Sequence, residues 1–121
     1  MKRSIAAAAL FALSSLVHAG QTVQLRDLIV DNSNRIQQLK NGMSRDEAVK
    51  LMRDDVARIP GGTVGNPYKS KTLQQGGASY EVLYYLTQLP TQGKEALTTP
   101  VVFKNGVLSG MGVEAVRALK Q

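Results

Sequence analysis

The side chains that carry most protein chemistry are scarce in this chain, which has one histidine, His18, and no cysteine. Without thiolate or further imidazole there is no zinc site of the usual kind and no Cys or His nucleophile system. Apart from His18, no base titrates near neutrality unperturbed either. Asp54-Asp55 are paired carboxylates only in sequence: read as neighbours on a helix they point in different directions, so they do not converge on one substrate and serve solubility. Gly61-Gly62 to Gly65 has the composition of a phosphate-cradling loop, yet no Gly-Lys-Ser/Thr follows and no strand is read before it, which makes it a flexible connection. The expectation is a protein that is not an enzyme and holds no cofactor or metal.

Binding is the chemistry that remains. The lysines Lys69, Lys71, Lys94, Lys104 and Lys120 could concentrate anions such as an envelope polymer, although spread through the sequence they read as solvated single charges. The tyrosines offer more. Tyr84 and Tyr85 are adjacent in a β-type run, so they fall on opposite faces of a sheet, and one of them must leave the helix-covered side as an aromatic anchor of the kind found at interface hot spots. Strand parity does not say which; Glu81 and Thr87 on the Tyr85 side suit solvent and favour Tyr85 as the exposed ring. Tyr68, after Asn66-Pro67, either seats its loop on the core or presents itself to a partner.

The element that positions these groups is Pro100 to Gly110, two apolar runs joined at Asn105-Gly106. A type I′ turn needs φ > 0 at both central residues, and Asn-Gly supplies it. The turn sets Lys104 opposite Val107, Phe103 opposite Leu108 and Val102 opposite Ser109. Val101, Phe103 and Leu108 then share a buried face, and Val102, Lys104, Val107 and Ser109 share the other. Tyr80 to Thr87 is the central strand, Lys69 to Leu73 a possible short edge strand, and Val113 to Lys120 a short terminal helix.

Upstream, Leu25, Ile29, Asn32, Ile36 and Leu39 recur at helical spacing. Asp31-Asn32-Ser33-Asn34 prefer caps and turns, so the regular helix is expected only from about Ser33, with Asn41-Gly42 as its stop. Ser44 and Glu47 have the spacing of a capping box, and Val49, Met52, Val56 and Ile59 give a second helix an apolar stripe up to Pro60-Gly61-Gly62. The expected fold is α+β, with two N-terminal helices packed on one face of a three- or four-stranded antiparallel meander and the other face open.

At 121 residues and 43% hydrophobic content the chain is long enough for one globular domain. Its start is separate: Lys2 and Arg3 precede an apolar run from Ile5 to Val17, and Val17-His18-Ala19 offers small residues before Gly20. This predicts a secretory signal over residues 1–19, cut after Ala19, and a single domain over 20–121. The run is too short to span a bilayer. Cleavage removes two of the cations behind the formal charge of +6 and the histidine as well. The expectation is an unlipidated periplasmic protein without a membrane anchor, since no cysteine stands at the junction.

Gly42-Met43-Ser44 with Glu47, Asn66-Pro67-Tyr68-Lys69, Tyr80-Glu81-Val82-Leu83-Tyr84-Tyr85, Pro100 to Gly106 and Gly110-Met111-Gly112 resemble a proteobacterial envelope family of unknown function. The helix-then-meander order is also similar to the SmpA/OmlA group, which includes the BamE-like small subunits of the outer-membrane assembly machine, and to the β-lactamase inhibitor protein fold. That resemblance implies a non-enzymatic module that binds another envelope protein and serves outer-membrane assembly or maintenance, without nucleic acid. The surface expected for it is Tyr68, Tyr85, Val102, Lys104 and Val107, held by Gly42, Ser44, Glu47, Asn105 and Gly106; the alternative ligand is an anionic envelope polymer or a small molecule on the basic surface. If the leader is read correctly, intact mass spectrometry of the exported protein will give a chain starting at Gly20 with no lipid. A retained Met1 removes that reading.

Overall fold

The computed structural model describes residues 20–89 and 97–119. The expected leader with its Ala19 junction, the connection 90–96 with Lys94, and Lys120 lie outside the described residues. In chain order the elements are β1 (Thr22–Gln24), α1 (Leu25–Ile36), α2 (Arg45–Met52), β2 (Val56–Ile59), β3 (Gly62–Val64), β4 (Lys69–Gln75), β5 (Ala78–Gln88), β6 (Leu97–Lys104), β7 (Val107–Met111) and α3 (Val113–Leu119). The class is α+β, as expected. The layout differs: the strands form two sheets, β1-β2-β3 and β4-β5-β6-β7, and only the second is the antiparallel meander.

The hairpin sets the register of that meander. Asn105 at φ 51° and Gly106 at φ 83° are both in the left-handed region a type I′ turn requires. Lys104 faces Val107 and Phe103 faces Leu108 as read from the sequence, but the ladder slips beyond them and Val102 faces Gly110. Ser109 is the extra residue of a bulge, and its hydroxyl donates to the Val102 carbonyl at 3.3 Å.

On one face of this sheet Leu83, Tyr85, Val101, Phe103 and Leu108 pack with Leu39, Ala48 and Met52 from the helical segment, which is the main core. α1 starts at Leu25, earlier than the cap-forming residues suggested. Asn32 and Ser33 sit inside the helix because their side chains are occupied by β5: Asn32 Nδ2 donates to the Leu86 carbonyl at 2.9 Å and Ser33 Oγ to the Thr87 carbonyl at 2.8 Å. Both carbonyls lie at the register slip between Leu86 and Gln88, where ladder partners are lost.

α2 opens on the capping box read from sequence: Glu47 N donates to Ser44 Oγ at 3.1 Å and Ser44 N to Glu47 Oε1 at 3.0 Å. It ends at Met52, not at Ile59. Arg53 takes φ 67° and ψ 162°, outside any helical region, and the side-chain amide of Asn66 donates to the Met52 and Arg53 carbonyls, each at 3.0 Å. With its last carbonyls so capped the helix has no need to continue. Val56–Ile59 is instead a strand, parallel to β1 and antiparallel to β3 through the Pro60-Gly61 turn.

Asn41-Gly42 does not end α1 directly. Gly42, at φ 99°, turns the connection so that it docks on β7: Gly42 N donates to the Leu108 carbonyl, Leu108 N to the Met43 carbonyl and Arg45 N to the Gly106 carbonyl. Gly20 shows a second glycine constraint, since a Cβ there would fall 2.3 Å from the Asp54 carbonyl oxygen.

Asn32 and Asn66 are both buried and bond reciprocally, Asn32 Nδ2 to Asn66 Oδ1 at 2.8 Å and Asn66 Nδ2 to Asn32 Oδ1 at 3.1 Å. Truncating Asn32 leaves the Asn66 amide and the Leu86 carbonyl short of partners in a dry site. Asn32→Ala will therefore lose about 2 kcal/mol or more in urea unfolding, whereas the same change at exposed Asn34 in the same helix stays within about 0.5 kcal/mol. Coincident midpoints for the two variants would remove the amide pair from the account.

Candidate functional site

The register assigns every side chain of the meander to a face. Lys69 lies opposite Tyr84, Lys71 opposite Val82 and Leu73 opposite Tyr80. Across β5, Tyr84 meets Pro100, Val82 meets Val102 and Tyr80 meets Lys104. Directly opposite residues share a side, so Lys69, Lys71, Lys104, Tyr80 and Tyr84 stand together on the face that α1 and α2 do not cover. Glu81 is the only carboxylate in β4 to β7 and belongs to the other face. There it forms a two-pronged ion pair with Arg45, Nη2 to Oε2 at 3.2 Å, which raises the Arg45 pKa above its ordinary value. Three lysines scattered in the sequence are thus gathered on one side with no acid among its strand positions.

This face is not open throughout. α3 lies over β6 and β7, with Ala115 against Gly110. Between α3 and the sheet is an apolar cleft of about 400 Å³, lined by Tyr84, Thr98, Pro100, Val113, Val116 and Arg117. The Lys69 ammonium stands 4.9 Å from the centre of the Tyr84 ring, a cation–π distance. Apolar walls with cations at the rim suit the attachment of an anionic partner. Among the described residues no group of three His, Asp or Glu side chains is placed to hold a metal ion.

Of the residues expected to meet a partner, Tyr68 and Val107 are each 45% exposed, and Lys104 is exposed beside Val107. Tyr85 and Val102 are corrected. Tyr85 is 1% exposed and packs in the core with Phe103 and Leu108. The polar residues on its face misled because both are satisfied internally, Glu81 by Arg45 and Thr87 by the Thr99 hydroxyl at 2.7 Å. Val102 does lie on the far face, but it is buried at 2% exposure. The ring on that face is Tyr84, with Tyr80. Ser44, Glu47, Asn105 and Gly106 form the capping box and the turn expected of them, whereas Gly42 does not stop α1 but turns the connection onto β7, where Ser44 pairs with Val107 on the outer edge.

Asp55 was missed by sequence reasoning. It is buried, accepts from Gln21 N at 3.1 Å and faces Arg53 Nε at 3.4 Å and Arg35 Nη1 at 3.9 Å. It ties β1 to the end of α2 and is no solubility residue. The end of α2 at Met52, which takes Asp55 out of the expected helix, was not readable locally, and Arg35, one of the two arginines facing Asp55, is distant in sequence.

Compared with family models, with curated proteins and with solved structures, the chain matches none.

The Tyr85 hydroxyl is buried with no hydrogen-bond partner, and burial pushes its pKa up to about 12. Because the folded pKa exceeds the unfolded value of about 10, this group's contribution is fully present below pH 10 and is lost as pH rises toward 12. Tyr85→Phe will fold as well as the wild type at pH 7 and lose less stability than wild type between pH 9 and pH 11.5 in urea titrations. Parallel losses in the two proteins would show that the phenol is hydrated in the folded state.

Proposed function

We propose that this protein is a non-enzymatic binding module of the bacterial envelope, exported by its leader and not lipidated, that holds another envelope protein through the basic face of the β4 to β7 sheet. The observation that carries this reading is the shared placement of Lys69, Lys71, Lys104, Tyr80 and Tyr84, with no strand carboxylate beside them. Tyrosines supply contact area at low conformational cost, and lysines steer and select an acidic surface. Exposed Val107, opposite Lys104, extends the same face at the hairpin end, and exposed Tyr68 directly precedes the Lys69 end of β4. The resemblance to SmpA/OmlA envelope proteins read from the sequence motifs, which the comparisons with known proteins do not reproduce, suggests outer-membrane assembly or maintenance as the process served. An anionic polymer is the second reading, favoured by the same cluster of ammonium groups.

A photo-crosslinking residue placed at Tyr80 or Lys104 in intact cells will capture a protein, whereas one at exposed Gln37, just after α1, will not. Lys71→Glu combined with Lys104→Glu will reduce that capture by about tenfold or more, since opposed charges at an interface are selected against. Equal capture from Gln37, or capture untouched by charge reversal, places the interface elsewhere. Capture of carbohydrate-bearing material in place of protein moves the polymer reading to first place.

A further inference from the structure

The two edges of the meander are treated differently. At β7 the connection between α1 and α2 lies along the edge, and Gly42, Met43 and Arg45 exchange backbone hydrogen bonds with Leu108 and Gly106. At the other edge is β4, seven residues long, and no strand among the described residues pairs with its outer side. Its residues from Lys69 to Thr72 are all exposed, and it contains neither proline nor a register slip against β5. In an antiparallel ladder alternate residues turn their N–H and C=O away from the neighbouring strand, so β4 presents a row of unpaired donors and acceptors. Lys69 and Lys71 stand at alternate positions on the basic face, with Ser70 and Thr72 between them on the other.

We infer that β4 is the docking edge for an extended acidic segment of the partner protein, which adds to the sheet as a fifth strand and sets carboxylates at alternate positions against Lys69 and Lys71. This deepens the reading of the basic face and rests on it. Backbone pairing supplies the affinity in such strand addition and the alternate side chains supply the selection. Opposite charges on neighbouring strands stabilise a pair and like charges destabilise it. The same rule argues against a second copy of this chain as the occupant, because β4 against β4 about Ser70 sets Lys69 opposite Lys71. Lysines on an edge also discourage indiscriminate pairing, which leaves the edge open to a segment that neutralises them.

The test uses the exported chain and three synthetic extended peptides: one with Glu alternating with Thr and Val, the same sequence with Lys for Glu, and the Glu peptide N-methylated at alternate residues. The Glu peptide is expected to bind at least about tenfold more tightly than the other two and to slow amide hydrogen exchange within Lys69–Gln75. Lys69→Glu with Lys71→Glu, both exposed and outside the core, is expected to reverse the preference toward the Lys peptide. Equal binding of the N-methylated peptide, or exchange in β4 unchanged by a bound Glu peptide, overturns strand addition while leaving the basic face intact as an acidic-partner site. Binding indifferent to peptide charge overturns both. Sedimentation showing a dimer that the Glu peptide does not dissociate assigns the edge to a second copy and overturns the inference.

Discussion

The side-chain amides of Asn32 and Asn66 meet where four parts of the chain converge, and both are hydrogen-bonded there. Each amide donates to the other's oxygen, Asn32 also donates to β5 at Leu86, and Asn66, sharing one of its two amide hydrogens between acceptors, also reaches the Met52 and Arg53 carbonyls at the end of α2. Buried amides left unpaired cost about 1–3 kcal/mol each, so the arrangement tolerates little sliding of one part against another. Apolar packing between α1 and β5 alone would permit several offsets along the helix. The amide pair selects one, and through Ser33 on Thr87 the neighbouring turn of α1 is fastened to the same stretch of β5.

The route of the chain after α2 follows from that junction. Once Asn66 takes the terminal carbonyls, Arg53 is free to leave the helix at φ 67° and ψ 162°, a region that L-residues enter at a cost of about 1–3 kcal/mol. The buried Asp55 carboxylate offsets that cost by drawing Arg53 and Arg35 toward it and by accepting from Gln21, so the turn that strains the backbone also anchors β1. β1 then pairs with β2, and α1 contacts both β2 and β5. The small sheet is thereby a brace for α1, whose last residue Ile36 packs against the main core, while Leu39 and the α2 residues Ala48 and Met52 cover Leu83, Tyr85 and Phe103.

Local signals were legible where they were sufficient by themselves. Asn105-Gly106 carries its own dihedral requirement, Ser44 and Glu47 carry both halves of a capping box, and Tyr80 to Thr87 is β-rich throughout, so each appears where the sequence places it. The apolar spacing of Val49, Met52, Val56 and Ile59 was the misleading case. It fits one helical stripe, and nothing between Met52 and Val56 announces that Asn66, far along the chain, will cap the helix in between. Tyr85 was misplaced for a related reason: Glu81 and Thr87 look solvent-seeking until Arg45 and Thr99 are known to face them. Long-range partners decide such positions, and their identity is not carried by the local pattern.

The distribution of charge on the meander has the same origin. The one carboxylate in its strands, Glu81, falls on the helical side by alternation with Leu83 and Tyr85 and pairs there with Arg45, whose place at the first turn of α2 follows from the capping box immediately before it. Its three lysines fall on the opposite side by alternation from Tyr84, Val82 and Tyr80. An acid on that side would pair with a neighbouring lysine and cancel the local potential; its removal to the core face leaves the cations uncompensated across β4 to β6. The bulge at Ser109 then turns Gly110 toward Val102, where its lack of a side chain admits α3 at Ala115 and limits the exposed cations to the β4 side and the hairpin end. Strand alternation across β4 to β6 and a single bulged residue in β7 thus determine where this otherwise scattered positive charge becomes one basic surface.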